Sequence, residues 1–219
     1  MKQTTTSKKF ILAAAISLGL VSAAVAQSAN VAVPNPAEAD TAVVSGQLGT
    51  RYTEVAYKFI NLKGPDNAHG FALNYNQPLS AGFDFTASYD WAKADLGAFD
   101  AKVQDLEVGV KAFSNYSFAK PYVLAAVGWE WQKVATFRDD SFTYKVGVGA
   151  EFEVAPAFVI TPFVNFVRAT EFNASEFEIG AKATYRFNES WSAMVRGQYE
   201  SVRHDADTTE WAAGVIYRF

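Results

Sequence analysis

The chain has 219 residues and a formal net charge of −4, it contains no cysteine, and 15% of its residues are aromatic. The lack of cysteine excludes a disulfide framework, a thiolate metal site and a thiol nucleophile. The slightly acidic balance excludes a general nucleic-acid binder, which would be strongly basic. With only 19% charged residues, the many aromatic rings must be covered, either by a protein core or by lipid.

The first 26 residues have the features of a secretory signal peptide. Lysines near the N-terminus precede an apolar run that extends from Phe10 to Ala26. Ala24 and Ala26 provide the small residues that signal peptidase requires at its cleavage site. The alternative is a membrane-anchor helix, which is disfavoured because the run is rich in Ala and Ser and polar sequence follows directly. We therefore expect residues 1–26 to be removed on export.

Residues 27–48 contain Pro, Asn and small residues without a clear period, which indicates a flexible N-terminal lead-in. From residue 49 to residue 219, apolar and polar residues alternate; in the segment FDFTASYDW (83–91), for example, Asp, Thr or Ser separates the larger residues. Successive side chains of a strand point to opposite faces, so each such segment has one apolar and one polar face. Ten segments show the pattern, at 49–61, 70–77, 82–92, 103–113, 121–132, 141–154, 157–168, 176–187, 190–202 and 209–219.

The alternation predicts an all-β fold, an antiparallel up-and-down β-barrel of ten strands. Eight strands remain the alternative if residues 49–77 or 157–187 pair irregularly. The connections alternate between longer polar segments, such as KVATFRDD (133–140), and short ones, such as NES (188–190). We therefore expect the longer connections to lie together, as outer loops at one end of the barrel.

The apolar faces distinguish a soluble barrel from a membrane-spanning one. Large aromatic residues lie toward both ends of these faces, and small aliphatic residues lie between them. A soluble core would have its largest side chains at the centre, whereas a transmembrane barrel has an aromatic girdle at each interface of the bilayer. The sequence therefore predicts a transmembrane barrel, with girdle residues Trp91, Trp129, Trp131, Trp191, Trp211 and Tyr217.

The polar faces predict a charged lumen. Acidic and basic side chains are both present, so a lumen could pair many of them, which matters because an isolated buried charge is costly. On a soluble barrel the same charges would face water and need no partners. The lumen charges that we expect are Glu54, Lys58, Asp84, Asp105, Glu107, Lys111, Glu130, Lys145, Glu151, Lys182, Arg186, Arg196, Glu200 and Arg218.

The hairpins at 157–187 and 191–219 resemble those of small Gram-negative outer-membrane β-barrel proteins, the opacity/OmpA-type, porin-like group. The most specific feature is the end of the chain, an alternating strand that closes with Tyr217, Arg218 and Phe219. The resemblance covers 49–219 and implies a location in the outer membrane, surrounded by its lipids. It also implies that the β-barrel assembly machinery recognises Tyr217 and Phe219 as an assembly signal. Barrels of the OmpA type proper have eight strands, whereas the pattern here predicts ten.

The predicted size favours a structural or general permeability (porin-like) role. A barrel of about eight strands is filled by its own side chains, and 16–18 strands are needed for a wide aqueous channel. The alternative is a narrow channel, which would slightly favour cations because acidic residues outnumber basic ones on the polar faces. A second alternative is surface adhesion through the outer loops, for which the sequence offers connections of only about six to ten residues. We expect a monomer without a nucleic-acid partner.

Catalysis is not expected. The two histidines, His69 and His204, lie in predicted outer loops, where Asp139, Asp140, Asp205 and Asp207 also lie. This arrangement loosely resembles a ten-stranded outer-membrane protease with Asp and His at its rim, but Asp is also common in turns. No His, Asp or Glu cluster has metal-ligand spacing, and no Gly-rich phosphate loop follows a strand. We therefore expect no catalytic residue, metal or cofactor.

Overall fold

The structure, a computed structural model, describes residues 46–62, 67–95, 97, 100–202 and 207–219. Its strands are β1 (Tyr52–Asn61), β2 (Asn67–Ser80), β3 (Phe83–Asp95), β4 (Asp100–Phe113), β5 (Ala119–Val134), β6 (Phe137–Ala155), β7 (Phe158–Ala169), β8 (Ala174–Arg186), β9 (Trp191–Val202) and β10 (Thr208–Arg218). Every strand pairs antiparallel with its neighbours in sequence, and β10 pairs with β1, which closes the barrel. The predicted ten-stranded up-and-down barrel is confirmed, and the eight-stranded alternative is wrong. The predicted signal peptide, with Ala24 and Ala26, lies outside the described residues.

The closing seam between β1 and β10 is regular over its whole length, from the pair Tyr52↔Arg218 to the pair Asn61↔Thr209. The two backbones approach closely at Gly214, where an added Cβ atom would lie 2.2 Å from the carbonyl oxygen of Val55. Only glycine can occupy this position without displacing backbone atoms of the opposite strand. The seam thus depends on a residue without a side chain.

Because the number of strands is even, both ends of the described chain lie at one end of the barrel, which we call the terminal end. The opposite end is the distal end.

The outer loop predicted at 133–140 is shorter than expected, so the predicted bounds are wrong, because β5 continues to Val134 and β6 begins at Phe137. Ala135, with a φ of 55°, and Thr136 alone connect the two strands. The polar residues of this segment continue the strand ladder, since outside a bilayer a strand needs no apolar face.

Side-chain burial is inverted relative to a water-soluble protein. On the outer surface Val148 is 54% exposed and Ile179 is 56% exposed, whereas Glu54 is 2% exposed and Asp84 and Glu130 are fully buried. A contiguous apolar exterior of this extent is unfavourable in water and favourable in lipid. Closure of the sheet leaves no unpaired edge, which is the condition for strands to span a bilayer. Among the described residues, no helix is long and apolar enough to cross a membrane.

Aromatic side chains form contacts at both ends of the apolar exterior. At the terminal end, the ring of Tyr217 lies 4.9 Å from that of Trp191 and 5.1 Å from that of Phe219. Toward the distal end, Trp91 stacks on Phe71 at 5.5 Å and Trp129 contacts Phe142 at 6.2 Å. Trp131 and Trp211 are also exposed toward the distal end, at 41% and 56%. The residues predicted to form the girdles therefore lie on the outer surface near the two ends of the strands, and their level in a bilayer stays a prediction.

Candidate functional site: the charged lumen

The interior of the barrel holds a cavity of about 250 Å³ that extends from Gln47 and Leu48 at the terminal end to Leu62 and Val103 toward the distal end. Most of its polar wall consists of charged side chains on the inward faces of the strands. The predicted residues that line it are Glu54, Lys58, Asp105, Glu107, Lys111, Lys145, Glu151, Lys182, Arg196 and Glu200.

The other predicted lumen charges lie outside this cavity. Asp84, Glu130 and Arg218 are buried in the barrel, with exposed fractions of 0%, 0% and 7%. Arg186 lies at the rim of the terminal end, where its Nη2 donates a hydrogen bond of 3.0 Å to the exposed carbonyl of Pro156. Arg186 has the inward parity of β8, in register with the buried Ser192, but it is the last residue of the strand, so its side chain lies at the terminal mouth and not in the cavity.

One network of ion pairs crosses the lumen around Lys58. The Nζ atom of Lys58 lies 2.6 Å from Asp90 Oδ1 and 2.7 Å from Glu210 Oε2. Glu210 Oε1 also accepts a hydrogen bond of 2.6 Å from Arg196 Nη2, with which it forms a second ion pair. The side chain of Lys58 is 11% exposed and that of Glu210 is 2% exposed, so the charges depend on each other for compensation. The network joins β1, β3, β9 and β10 from inside.

Two further basic residues pair across the lumen. Lys182 Nζ lies 3.1 Å from Glu54 Oε2. Lys145 Nζ lies 3.0 Å from Glu107 Oε2 and 3.8 Å from Glu178 Oε1. These contacts link strands that lie two or three places apart in the sheet, so they brace the curved wall of the barrel from inside.

The terminal mouth of the lumen is occupied by the residues that precede β1. We call residues 46–50 the terminal segment. The backbone N–H groups of Gln47 and Leu48 donate to the carboxylate of Glu151 at 3.0–3.3 Å. Gly49 N donates to Asp84 Oδ2 at 2.9 Å, and Lys182 Nζ donates to Gln47 Oε1 at 2.7 Å. Gln47 and Leu48 are 3% and 4% exposed, so the segment fills this mouth.

The terminal segment overlaps the predicted lead-in, 27–48, whose first 19 residues, 27–45, lie outside the described part of the chain. Residues 46–48 are fixed inside the barrel, and the first strand starts at Tyr52 instead of residue 49. Gly46 fits because it has no side chain, since an added Cβ atom would lie 2.2 Å from Glu151 Oε2. The last part of the lead-in is therefore a component of the lumen.

Sequence reasoning did not select Glu210 as a site residue. The signal was present, because Glu210 has the same parity as the buried Ala212 and Arg218 in β10. Gln47 was missed for a different reason, since it lies in a segment without a period. Neither residue's partner could be read from spacing, because Gln47 and Glu151 are 104 positions apart.

The histidine and aspartates considered for catalysis do not form a site in the described residues. His69 Nδ1 lies 2.6 Å from the hydroxyl of Tyr57 on the exposed surface. Asp140 accepts a hydrogen bond of 3.0 Å from Trp129 Nε1. His204 and Asp205 lie outside the described residues. Within the described ranges, no three His, Asp or Glu side chains are grouped so that they could hold a metal ion.

Glu171 fastens the β7–β8 turn to the start of β6 at the distal end. Its Oε2 accepts hydrogen bonds of 2.7 Å from Ser141 Oγ and from the backbone N–H of Phe142. A third donor is the hydroxyl of Thr170. These donors lower the pKa of Glu171 to about 2, with the hydrogen bond from Thr170 as the largest cause. The carboxylate therefore stays ionised between about pH 2 and the usual pKa of Glu, a range in which an ordinary Glu would be protonated and would lose these hydrogen bonds.

No protein-family model matches the chain, and no curated protein matches it. Solved structures with similar folds include Neisserial surface protein A, with 15% identity, 77% of this chain and 97% of that chain covered, and a TM-score of 0.41. The translocator domain of the autotransporter NalP from Neisseria meningitidis has 9% identity, 80% and 90% coverage, and a TM-score of 0.44. Ail, the attachment invasion locus protein of Yersinia pestis, has 15% identity, 78% and 97% coverage, and a TM-score of 0.39.

These similarities are too low to indicate a common function. The geometry of the chain itself is more informative. The structure is a closed antiparallel barrel with an even number of strands, a charged interior and an apolar exterior bounded by two aromatic girdles. That combination is the architecture of a small outer-membrane β-barrel protein, and this chain has it.

Proposed function

We propose that the chain is an integral barrel of the bacterial outer membrane with a structural role, and that its lumen is closed as the structure stands. The observation that supports this proposal is the terminal segment, which binds Glu151 and Asp84 at one mouth of the lumen. The cross-lumen pairs of Lys58, Lys145 and Lys182 support it as well, because they fill the interior with fixed charges. The apolar exterior and the predicted signal peptide support the location.

A second candidate is a narrow, weakly cation-selective channel that conducts once the terminal segment leaves the mouth. The observation that favours it is the cavity, whose wall has more carboxylates than basic side chains. A negative wall concentrates cations and repels anions. Surface adhesion has less support, because the connection of β5 to β6 consists only of Ala135 and Thr136.

Conductance of the purified, folded barrel in planar bilayers separates the two candidates. We expect the unmodified protein to be silent across a range of potassium chloride concentrations. Glu151→Ala removes the acceptor of Gln47 N and Leu48 N, so the terminal segment loses two of its anchoring hydrogen bonds. Glu153→Ala is the matched control, since Glu153 lies two residues further along β6 and is exposed.

Each result has a defined meaning. Potassium-selective openings in Glu151→Ala, with silence in Glu153→Ala, would establish a channel closed by the terminal segment. Silence in both variants would support the structural role and would contradict the channel candidate. Steady conductance by the unmodified protein would contradict the closed lumen that we propose.

We further propose that the β-barrel assembly machinery recognises the C-terminal strand through Tyr217 and Phe219. Phe219 N donates to the carbonyl of Arg51 at 3.2 Å, and its ring packs against Tyr217 and under the guanidinium of Arg51. These contacts are few and superficial, so deletion of Phe219 should lower the stability of the refolded barrel only slightly. In cells, the same deletion should lower the amount of folded protein in the outer membrane several-fold.

The measurement is quantitative immunoblotting of outer-membrane fractions, combined with unfolding of barrel refolded in vitro. Phe187→Ala is the control, because Phe187 is an equally exposed aromatic residue at the terminal end but lies outside the C-terminal strand. Equal membrane levels for the two variants would refute an assembly signal at Phe219.

A further inference from the structure

The outward face of the distal end has a row of basic side chains that crosses five neighbouring strands. His69 of β2 is in register with Lys93 of β3, and Lys93 is in register with Lys102 of β4. Lys102 is in register with Lys133 of β5, and Lys133 with Arg138 of β6. We call Lys93, Lys102, Lys133 and Arg138 the basic row, with His69 at its edge. Neighbouring strands lie only about 5 Å apart, so the row is a continuous band of positive charge.

The basic row faces outward and not into the lumen. The residues beside its members along the strands, Ala94, Ala101 and Val103, are buried on the inner side with exposed fractions of 1%, 0% and 7%. Because successive side chains of a strand alternate between faces, Lys93 and Lys102 must point to the outside. Lys133 and Arg138 are exposed. The positive charge is therefore presented to the surroundings of the barrel.

The depth of the row is set by two girdle residues. Trp91 and Trp131 precede Lys93 and Lys133 by two positions, on the same face of the same strands. Two residues of an extended strand span about 7 Å. Indole rings prefer the level of the lipid headgroups. The basic row therefore lies at, or just outside, the layer in which the phosphate groups of a lipid leaflet are found.

Within the protein the row is incompletely compensated. Like charges directly opposite each other in a sheet are destabilising. Lys93 Nζ lies 2.9 Å from Asp100 Oδ2. Among the described residues, Lys102, Lys133 and Arg138 make no ion pair. Asp100 also interacts electrostatically with Lys102 and Lys133, so one carboxylate is shared among three lysines. Asp140 and Asp95 accept hydrogen bonds from the neutral donors Trp129 Nε1 at 3.0 Å and Gly97 N at 3.1 Å.

We propose that the basic row binds the phosphate groups of anionic lipids in the leaflet at the distal end. Cations side by side on an outward face, only partly compensated and at headgroup depth, match a row of phosphates in charge and position. Lys and Arg both bind phosphate, and Arg can do so with two parallel hydrogen bonds. The aromatic rings of Trp91 and Trp131 would pack on the lipid below the phosphate. The proposal rests on the membrane location given above and adds a lipid class to it.

The test compares barrels refolded into three kinds of vesicle: phosphatidylcholine alone, phosphatidylcholine with one-tenth lipid A as the phosphate-bearing lipid, and phosphatidylcholine with inorganic phosphate in the buffer. The readout is the temperature at which the folded, heat-modifiable band disappears, together with the lipid A that stays bound after purification. The variant is Lys102→Gln/Lys133→Gln. The control is Arg51→Gln/Arg186→Gln, which removes the same charge from exposed or partly exposed positions at the terminal end.

We expect lipid A to raise the unfolding temperature of the unmodified protein and of the control, and to do so much less for the variant. One basic residue near an anionic surface contributes roughly 1 kcal/mol, so loss of two should lower the retained lipid A by about 30-fold. Inorganic phosphate should have no effect. An equal response of variant and control, or a response to inorganic phosphate that matches the response to lipid A, would overturn the proposal.

Failure of the lipid-binding proposal can be distinguished from failure of the proposed membrane location. If the chain does not insert into phosphatidylcholine vesicles, the heat-modifiable band will be absent from all three preparations, which contradicts the proposed function. If it inserts and the variant responds like the control, only the lipid-binding proposal fails.

Discussion

Replacement of Lys58 with methionine should lower the free energy of unfolding by about 3–5 kcal/mol, the cost of removing one partner from a buried ion pair. The methionine retains most of the volume of the lysine stem but leaves Asp90 and Glu210 close together with one fewer cation between them. Arg196 would keep its ion pair with Glu210 and a longer-range attraction to Asp90, to which it makes no direct ion pair. The measurement is unfolding of the barrel by guanidinium chloride, followed by the shift between the folded and unfolded bands on a gel.

Two controls show whether burial is the cause. Lys93→Met removes an equal charge from the exposed pair with Asp100, whose side chain is 48% exposed, and should change stability little because exposed pairs contribute little. Lys58→Met/Asp90→Asn removes one uncompensated carboxylate and should recover part of the loss. If Lys58→Met lowers the free energy of unfolding no more than Lys93→Met does, the lumen is hydrated well enough to screen its charges.

Gly214→Val should disrupt the closing seam and lower the yield of folded barrel. The new Cβ atom would lie 2.2 Å from the carbonyl oxygen of Val55 and 2.7 Å from the Cα atom of Ala56, both of them backbone atoms. Backbone atoms cannot move aside as a flexible side chain can. We therefore expect the free energy of unfolding to fall by at least the upper end of the range for overpacking, about 3 kcal/mol. The measurement is the fraction of protein that refolds into vesicles, with its unfolding midpoint.

Ala213→Val is the matched control for the seam. Ala213 neighbours Gly214 in β10 but is exposed on the outer face, where a larger apolar side chain contacts lipid. It should refold like the unmodified protein. Normal refolding of Gly214→Val would show that β1 and β10 can separate by the required distance, and the seam would then be less tightly packed than the register indicates.

The period of two was sufficient to predict the barrel, the number of strands and the two faces. Alternation is a local property, so the residues of one strand, such as 83–91, show it by themselves. The same parity placed Glu54 and Lys58 inside before any partner was known. The girdle positions of Trp91 and Trp211 followed from their distance along each strand, which is also local.

The ends of the strands could not be predicted in the same way. The alternation of apolar and polar residues is needed only where a strand faces lipid, so it ends before the strand does. The backbone pairing of β5 and β6 continues beyond it to Val134 and Phe137. Lys133 and Arg138 therefore looked like loop residues although they are paired across the hairpin. The basic row was hidden for this reason, because it exists only when the register of five strands is known.

The contents of the lumen were predicted as a set of residues but not as an arrangement. Lys58 and Glu210 lie far apart in sequence, and their contact depends on the pairing of β1 with β10, in which Lys58 is opposite Ala212. The terminal segment could not be predicted at all. Its residues have no period, and its partners Asp84, Glu151 and Lys182 belong to three different strands.

The terminal segment also constrains the order of events in folding. Its partners come from β3, β6 and β8, and their side chains face a common interior only after the sheet has closed on itself. Residues 46–50 precede all the described strands, yet their environment is built from strands that follow much later in the chain. Burial of Gln47 therefore requires that β3, β6 and β8 surround a common interior, so the exposure of this one side chain to solvent reports whether the barrel has formed around the terminal segment.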